Sequence, residues 1–170
     1  MRRMLFLAIL LTALNAGLFF GWSCSVIPGL ARVPDPVYVH TMWSINRAIQ
    51  NPLFLLVFVG AAVVLPLAAG QEFRAVGAFR SVPVLAATAL YLLGTFGVTM
   101  LGNVPLNNML DQVDPALASP ERIASVRAAF EQPWVRLHSL RTVASVLALV
   151  LLLWYVVRPQ SVVDQHAMMP

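Results

Sequence analysis

Trp134, His138 and Arg141 stand four and three residues apart, so a helix brings all three to one face. A neutral imidazole can take up a proton near neutral pH. A guanidinium is a permanent cation with five donors and no acceptor. His40, Trp43 and Arg47 repeat the same spacing earlier in the chain, with Asn46 and Asn51 beside them. A third group is Gly102-Asn103-Val104-Pro105-Leu106-Asn107-Asn108, and Thr95, Thr99 and Asn103 run into it as a polar stripe, each four residues from the next. These are residue types for proton transfer, anion holding and flat aromatic contact.

Each group also has a plainer explanation. Hydroxyl and amide stripes often join membrane helices by hydrogen bonds, which suits Thr95, Thr99 and Asn15. Trp22, Trp43 and Trp134 suit an interfacial belt. The Asn-rich block can simply stop a helix. His138 and Arg141 can snorkel to the membrane surface.

The elements that must position these residues are membrane helices. Of 170 residues, 59% are hydrophobic and 11% are charged, against about 25% charged in soluble domains. A soluble fold of this size could not hide so much apolar surface. A bilayer core needs about 20 apolar residues of helix. Four segments meet or approach that, at about 4–26, 52–70, 81–102 and 134–157. The first is too long for a signal peptide, and bulky Phe19, Phe20 and Trp22 stand where small residues would prepare a cut. Asn51-Pro52 is a good start for the second. In the fourth, the uncharged part Thr142–Val157 supplies only about 24 Å of helix. It must draw Arg141 and His138 towards the bilayer, either into the bundle interior or snorkelling.

The expected fold is all-α: an integral membrane four-helix bundle, one domain over residues 1–158, with a flexible tail at 159–170. The turn at 71–80 is short, while two longer, partly helical connections, about 27–51 and 103–133, share the opposite side. The three polar groups therefore gather at one end. Arg2, Arg3, Arg74, Arg80 and Arg158 lie close to the span ends on the other side, which favours a cytoplasmic amino terminus in a bacterial inner membrane. The net charge of +4 comes entirely from scattered Arg, without Lys. No basic run or motif suggests nucleic acid.

Phe20 through Pro28, Ile45-Asn46-Arg47-Ala48-Ile49-Gln50-Asn51-Pro52-Leu53-Phe54, the Gly102–Asn108 block, and Trp134 with His138 and Arg141 together resemble the anthrone-oxygenase-like family of small four-helix membrane proteins. The Gly-Asn-Val-Pro-Leu-Asn segment is the most specific part, and the resemblance covers about residues 4–157. It implies the four-helix fold first and, for a subset of members, oxidation of anthrones to anthraquinones. An anthrone has a weakly acidic methylene whose enolate can pass an electron to O₂ without metal or flavin. Such catalysis needs a base, donors for the enolate oxygen and a flat apolar pocket. On this resemblance His138 is the expected base, and Arg141 with Asn103 the expected oxyanion donors. Tyr38, His40, Trp43, Asn46, Asn107 and Trp134 are expected to bind the substrate, with His40 a second candidate base.

No cofactor is called for. The single Cys24 forms no metal-binding pair, and no two of His40, His138 and His166 sit at metal-ligand spacing. Haem on His40 and His138 is the weaker cofactor candidate. The expected partners are membrane lipid and a hydrophobic small molecule, with homo-oligomers left open. Enzyme or not, two functions compete: an oxygenase of phenolic or anthrone-type substrates, and a non-enzymatic protein that binds a lipid-soluble ligand or joins a larger membrane complex. Solute transport fits less well, because no span carries a central charge or an obvious broken-helix pair.

Overall fold

Long apolar runs free of charge must satisfy their backbone groups internally, and helix is the simplest way to do so. In the computed structural model three helical stretches are long and apolar enough to cross a membrane: Arg3–Leu30, Pro52–Asp111 and Pro120–Val157. The structure describes residues 2–158, and no strand occurs among them. The tail and His166 lie outside the described residues.

Helix α1 (Arg2–Gly21) widens into π-helical turns at Trp22–Val26 and ends in the short α2 (Ile27–Leu30). Helix α3 (Asp35–Ala48) follows, with Pro and an acid in its first turn. Asn51 then caps α4 (Pro52–Ala89), its Oδ1 accepting from the Phe54 amide at 3.0 Å.

The second apolar stretch is 60 residues long, about three bilayer thicknesses of helix. It is not one rod. Gly77, at φ 79° and ψ 170°, breaks α4, and that conformation is essentially open to glycine alone. The chain folds back there. Thr88 Oγ1 donates to the Leu65 carbonyl at 3.4 Å, and Tyr91 OH to the Phe58 carbonyl at 2.9 Å, so the two arms run antiparallel. The short turn expected over 71–80 thus shrinks to one residue. The third rod widens into π-helical turns at Leu90–Gly97 and Thr99–Asn103, then ends in α5 (Val104–Asp111).

Ser119 caps α6 (Pro120–Val157), its Oγ accepting from the Arg122 amide at 3.3 Å. The helix continues through Pro133, so the connecting helix and the fourth apolar segment are one rod.

Two apolar cores flank the region of interest. One joins all four rods through residues such as Ala8, Leu65, Val84, Tyr91 and Ala148. The rods approach closely there: a Cβ on Gly94 would stand 2.6 Å from the Ala144 Cβ. The other core closes the polar end with Val39 and Met42 of α3 against Leu110, Phe130 and Trp134. Arg127 ties α3 down by donating to Asp35 at 2.9 Å and to the Val33 carbonyl at 2.7 Å. At the opposite end Tyr155 donates to Glu72, and Arg158 to the Arg80 carbonyl.

Candidate functional site

The face that the spacing of α6 defines points inward. His138 is fully buried and Arg141 is 8% exposed. Neither snorkels. Arg141 Nη2 donates to His138 Nδ1 at 3.0 Å, and Nη1 donates to Thr99 Oγ1 at 3.2 Å. A guanidinium can only donate, so His138 Nδ1 must hold the lone pair and the ring proton sits on Nε2. That proton faces the Phe19 carbonyl and Ser23 Oγ, each 3.1 Å away, beside the π-helical turns of the first rod. Both nitrogens of His138 are engaged, and the ring stacks on Trp134 at 5.1 Å between centroids.

The polar stripe on the third rod completes the cradle. Thr99 donates to the Thr95 carbonyl at 2.7 Å, and Thr95 to the Arg141 carbonyl at 3.4 Å. Asn103 Nδ2 donates to the Trp134 carbonyl at 3.3 Å. The bonds from Thr95 and Asn103 are the helix-joining kind expected of such stripes, and they fix the α6 backbone at the residues of interest. Trp134 Nε1 donates to Asn107 Oδ1 at 2.8 Å. An indole nitrogen only donates, so the Asn107 amide NH₂ is turned elsewhere.

In front of this cradle lies a cavity of about 350 Å³, within the ordinary range for small-molecule sites. Rings line it on two sides: Phe19, Trp22 and Trp134 on one, Phe54, Phe58 and Phe96 on the other. Phe58 stacks between Phe54 and Phe96, at 5.2 and 5.1 Å. The polar lining is Asn46, Gln50, Thr99, Asn107, Asn108 and Arg141. On the side chains of this lining, two buried donors have no partner, Arg141 Nε and Asn46 Nδ2. Both belong to residues 8% exposed that line the cavity. An unsatisfied buried donor is costly, and both of these sit on side chains of the cavity wall. The guanidinium carbon also lies 4.4 Å from the Phe19 ring centre and 5.4 Å from that of Trp134.

The expected site residues separate into two sets. Arg141, Asn46, Asn107 and Trp134 line the cavity. His138 and Asn103 stand behind its lining as supports of Arg141 and Trp134. Tyr38, His40 and Trp43 lie away from it. Tyr38 is a core residue under Arg127, whose guanidinium sits 4.4 Å above its ring. Burial pushes its phenol well above the usual range, and the nearby Glu131 carboxylate adds to that. His40 is exposed. Trp43 carries Arg47 at 3.9 Å, and Arg47 pairs with Asp111 at 2.7 Å. His40 and His138 do not form an axial pair, since one is exposed and the other has both nitrogens occupied. Among the described residues, no three His, Cys, Asp or Glu side chains come together as metal ligands. Sequence reasoning missed the wall of Phe54, Phe58 and Phe96. The four-residue interval between Phe54 and Phe58 was its only local signal.

No curated protein and no solved structure matches the chain. The sequence profile described as anthrone oxygenase matches residues 40–151, a span that holds most of α3, the caged guanidinium and most of the cavity lining. Over well more than half its length, then, the chain carries this profile, and it belongs to the anthrone-oxygenase-like family.

Proposed function

We propose that the protein is a membrane oxygenase of anthrone-type or phenolic substrates, working with O₂ and this chain's own side chains. The observation that supports this reading is the Arg141 guanidinium on the wall of a cavity lined with aromatic rings. The substrate's ketone oxygen is held by Arg141, with the Asn46 amide as a second donor. Charge that develops on that oxygen as the methylene loses its proton then meets donors already in place. The proton leaves through the polar end, past Asn107 and Asn108. The methylene carbon gives up two hydrogens and gains one oxygen of O₂ as a carbonyl. The second oxygen leaves as water, so no outside reductant is consumed. His138, whose lone pair is spent on Arg141, is a positioning residue in this scheme rather than the base.

The test is oxygen uptake by purified protein with emodin anthrone, above spontaneous autoxidation. Losing the oxyanion donor in Arg141→Met is expected to lower the rate by about 10²–10³-fold. Uptake unchanged in that variant would overturn the assignment. Binding of a lipid-soluble ligand without turnover is the second candidate. It is favoured by one observation: among the described residues, no His, Asp or Glu lines the cavity. Absence of uptake together with saturable binding would select it.

A further inference from the structure

We infer that the cavity loads sideways from the lipid, and that its ligand is a ring with an acceptor oxygen and a flexible apolar chain left in the bilayer. This names the ligand class for the site just described and rests on its being a binding cavity, not on turnover. Leu18, Leu55, Val59 and Met100 line the cavity yet are each between 37% and 46% exposed. They belong at once to the cavity and to the outer surface. Residues around that opening, such as Leu14, Leu56 and Val63, are exposed and apolar, so the surface there suits acyl chains. Val59 lies seven residues beyond Pro52, the first residue of α4, which is about 10 Å along a helix axis. The opening therefore sits below the interface, at hydrocarbon depth. The side chains of Arg141 and Asn46 on the cavity wall mark where the acceptor oxygen goes. Aromatic rings flank the body of the cavity. A ring held by those donors points any chain on its far side out between Leu18 and Val59.

The test uses full-length protein in phosphatidylcholine vesicles, in a Trp43→Phe/Trp154→Phe background. This leaves Trp22 and Trp134, both in the cavity lining, as reporters. Quenching is titrated with a benzoquinone carrying a ten-carbon chain and with the same ring bearing a methyl group, at equal mole fraction in the lipid. The chain-bearing quinone is expected to quench saturably and at least as tightly as the short one. Narrowing the opening with Leu18→Phe/Val59→Phe should raise its half-saturating mole fraction at least tenfold, while Leu147→Phe, exposed on α6 and outside the cavity lining, leaves it unchanged. Rejection of the chain-bearing quinone while the short ring binds would overturn the inference. So would identical titrations in all variants, or saturable binding of neither compound. Quenching as expected without oxygen uptake would retire the oxygenase and leave this inference standing.

Discussion

Arg141 is the residue on which the site depends. A cation inside a membrane protein is tolerated where it faces protein and finds partners. Here the partners are His138, Thr99 and two aromatic faces, and one nitrogen is held in reserve. The spacing of Trp134, His138 and Arg141 was enough to read their common face from the sequence. It was not enough to read depth, because helical periodicity gives direction around the axis and not distance from a cavity that other helices create. That is why His138 reads as a base in sequence and sits as a brace in the structure. The two roles separate experimentally. His138→Gln keeps an acceptor for the guanidinium, so uptake should fall by less than about tenfold, whereas His138→Ala should approach the loss seen in Arg141→Met. Equal, complete loss in both variants would restore the imidazole as the proton acceptor.

Among the elements, the helical character of the two long connections was legible in the sequence, and it appears as α3 and the first part of α6. The π-helical turns were not. They occur at Trp22–Val26, Leu90–Gly97 and Thr99–Asn103, next to the site. Their wider winding re-aims side chains without a residue signature of its own, and such turns often accompany function. The hairpin at Gly77 was expected as a short turn over 71–80, the gap between the apolar spans at 52–70 and 81–102. The actual break needs one residue at positive φ. A Cβ on Gly77 would meet nothing within 4 Å, so backbone conformation alone demands glycine. Gly77→Ala should destabilise the protein by about 1–3 kcal/mol. Gly70→Ala, on the same helix with equal room, should be neutral or mildly stabilising. Unfolding in a mixed-detergent titration reads both, and equal stability of the two variants would refute the hairpin geometry.

For the whole molecule, composition made the helical membrane class plain, since length and charge leave few alternatives. The cavity was invisible, because it is built by four rods and α3 from separate stretches of the sequence. Orientation follows from Arg density alone, and we propose an amino terminus in the cytoplasm. In a Cys24→Ser background, Ala116→Cys in the α5–α6 connection should react with an impermeant maleimide in intact cells. Ala75→Cys beside the hairpin should react only after permeabilisation, and the opposite pattern would invert the molecule. The position of Arg141 also bears on biogenesis. It rides on α6, which leaves the ribosome after the rods that carry Thr99 and Phe19. In bare lipid that guanidinium at a helix centre would cost about 2.5–3.5 kcal/mol. Helix α6 therefore gains by inserting against the three earlier rods rather than alone, so the buried guanidinium doubles as a checkpoint on the order of assembly.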